Sequence, residues 1–283
     1  MDSICVATDL HGDADRALAR AAQLAQAHGA RLCVVSVLPD AAQDAEVAAR
    51  EATLKAMIGQ RPEYPDLTVE IVVATGDPVT EVHHAATRCG ADLVVLGPHH
   101  QGGLLDSMRL TTLEKLVRAA PRPVLLVTSP VEAPYASILA PVDFSEACAA
   151  AVAAARALVP RAQVRLLHAV GVPYQTVVAA PGAVGEITQM VDPKPFVDDA
   201  AEQARSWLAA HPGLTDLSPP EPDTVALPRL VELALATEPA DLVCLGGHTK
   251  HGILDRMLGS FTADMVRKPP CDLLIAPAAP EAA

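Results

Sequence analysis

Residues 240–262 read ADLVCLGGHTKHGILDRMLGSFT, and this stretch decides the fold. It opens with an apolar run, Leu242 to Leu245, bounded by Asp241 on one side and Gly246-Gly247 on the other. A short apolar run between turn residues reads as a strand buried on both faces. A loop with His248, Lys250 and His251 follows, and then Gly259-Ser260 leads into a helical pattern. Serine is a favoured N-cap, and the first amides of a helix lack internal partners, so this helix start is a ready anion site. Strand, glycine turn, basic loop and capped helix together predict a phosphate cradle.

Working outward, the A-D-L-V-x-L-G pattern of 240–246 also stands at 91–97. Residues 3–10 (SICVATDL) predict a strand ending in Asp9, and 137–146 (SILAPVDFSE) repeat it with Asp143. Alanine-rich helical segments follow, 13–28 and 145–159; in the first, Ala17, Leu18, Ala21, Leu24 and Ala25 fall on one face. Second strands are expected at 31–38 and 163–170. A third is clear at 68–75 and weak at 224–227. Last strands are expected at 123–129 and 271–277, with a short seam at 128–136. Alternating βα units imply an α/β fold, a doubly wound parallel sheet with right-handed crossovers, here written twice. Ligands bind such sheets beyond the strand C-terminal ends, where the strand order switches. The second copy carries 15 extra positions, mainly in the Pro- and Gly-rich stretch 171–196, which reads either as a flap over a ligand or as a packing loop.

Composition sets the outer limits. Of 283 residues 51% are apolar and 2% aromatic, so the core is expected from Val, Leu, Ile and Ala. A net charge of −13 argues against nucleic-acid or anionic-membrane partners, which need clustered Lys and Arg. No apolar run approaches the roughly 20 residues that span a bilayer, and no leader-like segment precedes the first strand. Six cysteines without a C-x-x-C pair predict reduced, buried thiols. These features predict a cytoplasmic protein.

The spacing of the opening stretch then becomes specific. Gly246, Thr249 and Gly259-Ser260 follow G-x-x-G-(nine residues)-G-[ST], with Thr249 in the place of the middle glycine. Neither G-x-x-x-x-G-K-[ST] nor G-x-G-x-x-G after a strand occurs. The loop resembles the nucleotide-binding loop of the universal stress protein family, and the resemblance extends over essentially the whole chain as two tandem copies, 1–130 and 137–283. It implies two Rossmann-like domains, each a five-stranded parallel sheet flanked by helices, paired internally through their last strands; a homodimer of such chains is a further expectation. It also implies adenine-nucleotide binding in the second copy, ATP with Mg²⁺. The matching positions are Pro141, Val142, Asp143, Ala169, Gly246, His248, Thr249, Lys250, Gly259, Ser260 and Phe261. In the resemblance Asp143 lies beside the adenosine portion and the Ala169 backbone meets adenine.

Other readings of the same residues stand beside these. An acid before a helix start, such as Asp143, can serve as a cap. Thr249 departs from the pattern, since a β-branched residue at positive φ costs on the order of 1–2 kcal/mol. The first copy departs further, with Pro98 after Gly97 and Leu110-Thr111 where Gly-Ser would stand, and is expected to be a structural partner. The His83-His84 and His99-His100 pairs and His248 with His251 lie on separate elements, so no metal site is assigned. The resemblance implies a stress-response regulator acting through nucleotide and a protein partner. The alternatives are a scaffold without nucleotide and a slow ATP-hydrolysing or nucleotidyl-transfer enzyme.

Overall fold

The computed structural model describes residues 1–10, 14–60, 67–97, 113–118, 120–178, 186–247 and 259–277. The first half holds β1 (Ser3–Ala7), α1 (Ala14–His28), β2 (Arg31–Leu38), α2 (Asp44–Gly59), β3 (Val69–Thr75), α3 (Pro78–Arg88), β4 (Leu93–Leu96), a helical segment α4 (113–118) and β5 (Val124–Leu126). The second half follows the same plan with β6 (Ser137–Pro141), α5 (Glu146–Leu158), β7 (Gln163–Ala169), a hairpin β8 (Tyr174–Val178) and β9 (Glu186–Met190), and α6 (Lys194–Ala210). It ends with β10 (Pro222–Asp223), α7 (Leu227–Thr237), β11 (Leu242–Gly247), α8 (Ser260–Arg267) and β12 (Asp272–Pro277).

Ten strands form one sheet in the order β10-β7-β6-β11-β12-β5-β4-β1-β2-β3. Within this sheet every pair inside a half is parallel. The halves meet at an antiparallel pair of last strands, β5 with β12, in register Leu126↔Leu273 and Leu125↔Leu274. Each half therefore repeats one order, third-second-first-fourth-fifth, about a local twofold. Helices cover both faces, which is why the strands read as continuous apolar runs. Successive side chains point to opposite faces. Ile4, Val6, Ile138 and Leu242 pack with α1 and α5 residues on one side, while Cys5, Val94, Leu139 and Val243 pack with α3 and α7 residues on the other.

Repeated acids start the first strands. The Asp92 carboxylate accepts the amides of Asp2 and Ser3, and Asp241 accepts those of Ala136 and Ser137 plus the Ser137 hydroxyl. At the seam Asp272, fully buried, accepts from the amides of Thr128 and Ser129 and from the Tyr135 hydroxyl at 2.5 Å. Arg20 of the first half lies 3.8 Å from it, with its guanidinium 3.9 Å over the Tyr135 ring. The short seam is thus clamped between the halves.

Several sequence expectations move. Strands β1 and β6 stop at Ala7 and Pro141, two residues before Asp9 and Asp143. The chain turns there through left-handed residues, Leu10 at φ 67° and Phe144 at φ 63°. The third strand of the second half is Pro222–Asp223 instead of 224–227, because Leu227 opens a helix with Pro228 in its first turn, a position proline favours. Within 171–196, read as a flap or a packing loop, the chain forms the antiparallel β8–β9 ladder, and residues 179–185 lie outside the described residues.

Candidate functional site

In the second half β6 has β7 on one side and β11 on the other, so the strand order reverses between β6 and β11. That is where a doubly wound sheet leaves a crevice beyond its strand ends. Asp143 lies just past β6, and Gly246 near the end of β11, on the two sides of this crevice. The Asp143 carboxylate accepts from the Ser145 amide at 3.1 Å and the Cys148 thiol at 3.1 Å. Burial and the charge of Asp143 push the Cys148 thiol up to about 12, so it stays a protonated donor. The helix cap is Ser145, whose hydroxyl accepts from the Cys148 amide, so Asp143 is released from that role.

Phe144, turned by its positive φ, stacks on His168 with ring centroids 4.2 Å apart and meets Trp207 at 5.9 Å. A bulky residue at φ above zero is a costly conformation that surrounding structure must hold. His168 Nδ1 faces the Val142 carbonyl at 2.8 Å; a carbonyl only accepts, so Nδ1 carries a proton. Trp207 in turn packs on His211, whose ring engages the Trp207 carbonyl and Glu146. The carbonyl of Trp207 foremost, with Glu146, raises the His211 pKa. Ala169 ends β7 in register with Asp223, and the Val170 amide donates to the Asp223 carbonyl.

Gly246 has a packing reason of its own. A Cβ there would stand 2.8 Å from the Ala147 carbonyl carbon and 2.9 Å from the Cys148 amide, so glycine lets the first turn of α5 lie on β11. Gly259 occupies the N-cap of α8 and Ser260 is its first helical residue, without a side-chain cap bond. This corrects the expectation of a serine cap: glycine at the cap leaves the first-turn amides to other acceptors. Phe261 packs partly buried against the core on the α7 side. The described structure thus brings Pro141, Val142, Asp143, Ala169, Gly246, Gly259, Ser260 and Phe261 to the C-terminal side of β6, β7 and β11. His248, Thr249 and Lys250 lie outside the described residues, as do Pro98 and Leu110-Thr111 of the first half.

At the matching edge of the first half, the protein's own Arg50 reaches from α2 and donates to the Asp9 carbonyl at 3.2 Å and the Ser36 hydroxyl at 3.0 Å. Ser36 holds the place of His168, so a guanidinium stands where the second half has an aromatic pair. Sequence reasoning missed this arginine, and it missed a cluster of Cys5, Cys33 and Cys89 in the first-half core. A signal for the latter existed: Cys5 and Cys33 are each third in their expected strands.

A parallel sheet of order third-second-first-fourth-fifth, flanked by helices and written twice, defines the class of Rossmann-like α/β proteins. The profile of the Universal stress protein family matches residues 1–128 and again 134–277, and the chain belongs to that family. Among solved structures, a universal stress protein from Archaeoglobus fulgidus DSM 4304 is 14% identical, with 98% of each chain covered and a TM-score of 0.67. A putative universal stress protein from Pseudomonas aeruginosa UCBPP-PA14 is 17% identical, covering 98% of this chain and 93% of that one at a TM-score of 0.65. No curated protein matches the chain. Among the described residues no helix is long and apolar enough to cross a membrane.

Proposed function

We propose that the chain, taken as units 1–130 and 137–283, is a cytoplasmic stress-response regulator whose second unit binds ATP with Mg²⁺. The observation that carries this reading is the juxtaposition of Asp143 and Gly246 across the β6/β11 switch point, with the left-handed Phe144 holding an aromatic pair at the same edge. A carboxylate beside an aromatic face suits a nucleoside, whose hydroxyls and exocyclic amine donate and whose base stacks. The first turn of α8 at Gly259-Ser260 presents amides that suit phosphate oxygens, and Lys250 and His248 stand between β11 and α8 in sequence. ATP bound here would serve to report energy state by changing the surface offered to a protein partner, within this chain's internal pair or a homodimer.

The test is the thermal unfolding midpoint with and without millimolar MgATP, for the wild type and for Gly259→Val/Ser260→Ala. A ligand at 100 times its Kd adds about 2.7 kcal/mol, enough to raise the midpoint by several degrees. A rise in the wild type that the double variant loses is the expected result. No rise with any adenine nucleotide overturns the reading and leaves a scaffold acting by protein contact, a role the Thr249 departure would favour.

A further inference from the structure

The first half holds a second constellation, remote from the nucleotide crevice. Cys5 on β1, Cys33 on β2 and Cys89 at the C-terminal end of α3 bring three sulfurs within 4.8 Å of one another. Cys5 and Cys33 are direct register partners on neighbouring parallel strands, so their side chains leave the sheet side by side toward α3. All three are buried, and the nearby Ser3, itself 1% exposed, directs its hydroxyl at the Cys89 sulfur.

The repeat shows that this spot need not be built of thiols. By strand register Leu139 stands where Cys5 does, and Arg165 where Cys33 does. Counting back from the shared A-D-L-V pattern, Glu238 takes the place of Cys89. In the second half those two residues form an ion pair at 3.3 Å. The first half has replaced an apolar residue and an ion pair with three sulfurs facing one point.

We propose that Cys5, Cys33 and Cys89 form a three-sulfur site for a soft, thiophilic d¹⁰ metal ion, Cu(I) before Zn(II). Thiolates select such ions. Sulfurs bound at about 2.3 Å lie roughly 4 Å apart in a trigonal plane, so the observed cluster closes with shifts under about 1 Å. Three sulfurs complete the shell of Cu(I), whereas Zn(II) requires a fourth ligand beyond the three cysteines. Metal entry displaces the thiol protons to solvent. A cavity of about 370 Å³ between α3 and α4 lies beside the cluster, with Ala86, Gly90 and Val94 in its wall; Gly90 follows Cys89 and Val94 is the register partner of Cys5.

The full chain, reduced and stripped with chelator, is titrated with Cu(I) and separately with Zn(II) against a competing chromophoric chelator. One ion per chain is expected, with Cu(I) held more tightly. Cys89→Ala should weaken it by more than the roughly 10–100-fold that loss of an outer-shell partner costs, while Cys271→Ala, outside the cluster, leaves it unchanged. Tighter Zn(II) than Cu(I) keeps the site and reassigns its ion. No stoichiometric binding of either, or binding indifferent to Cys89→Ala, overturns the proposal. Should that variant fail to fold, maleimide labelling of the wild type decides. Bound metal must slow Cys5, Cys33 and Cys89 together and spare Cys148, Cys244 and Cys271; equal rates with and without metal sink the site.

Discussion

The two halves share a strand order, an aspartate clamp on the first strand and a left-handed residue after Asp9 or Asp143, yet they fill the ends of that frame with different chemistry. Beside Asp143 stand Phe144, His168 and Trp207; beside Asp9, Arg50 covers Ser36 and the backbone. Beneath the sheet the difference runs the other way, three thiols against Leu139 and the Arg165–Glu238 pair. Topology here depends on period and small-residue packing, which both copies retain. Binding equipment depends on single positions at strand ends, where exchange costs the core little.

The largest expected effect comes from breaking the joint that makes the halves comparable. Asp272→Ala removes the acceptor of Thr128, Ser129 and Tyr135 and leaves Arg20 buried without its nearest carboxylate. Losing one partner of a buried charged network costs roughly 3–5 kcal/mol. Urea unfolding followed by circular dichroism should show a midpoint well below wild type. A midpoint shifted by under a fifth of that would mean the β5–β12 ladder alone holds the halves.

Next in size is the nucleotide effect, which tests the asymmetry directly. At saturating MgATP the wild-type gain of about 2.7 kcal/mol should vanish in Asp143→Ala and persist in Asp9→Ala. Equal loss in both variants would make the first crevice a working site despite Arg50. Smaller again is Gly246→Ala. Its Cβ meets backbone at 2.8–2.9 Å, so α5 must move and stability should fall by about 1–3 kcal/mol. Gly59→Ala at the end of α2, with open space around it, should be neutral or stabilising by roughly 0.4–1 kcal/mol.

Much of this frame was legible in the chain. Repeated apolar runs such as LVVL and LVCL, each after Ala-Asp and before glycine, mark buried parallel strands because they are too short for a helix and are bounded by turn residues. The Asp9 and Asp143 positions were legible as strand-end acids but not their distance past the strand, since positive φ at Leu10 and Phe144 leaves no mark in residues so bulky. β10 was misplaced because a two-residue strand has no period and Pro228 claims Leu227 for a helix. Gly246 was legible as a glycine that lets something approach closely, but not that α5, a neighbour distant in sequence, is one of the things that approaches. The sulfur cluster was hidden for the same reason: three cysteines at 5, 33 and 89 meet only once strand register and the end of α3 are known.

The finest comparison sets Asp241 against Asp92, the same clamp in two copies. Asp92 accepts two amides; Asp241 accepts two amides and the Ser137 hydroxyl. Burial alone would raise the Asp241 carboxyl, but those three donors together outweigh it and hold its pKa below the ordinary value. A carboxyl whose folded pKa is depressed stabilises the fold fully above its unfolded pKa, about 3.9, and loses that contribution as pH falls through the lower folded value. Asp241→Asn should therefore cost about 1 kcal/mol at neutral pH, and Asp92→Asn somewhat less, with one donor fewer. The gap between wild type and Asp241→Asn should stay flat from pH 7 to about 5 and close below about 4. Denaturant midpoints across that range measure it. A gap that widens on acidification would show that the Asp241 carboxyl is held above its ordinary value, with burial prevailing over the three donors.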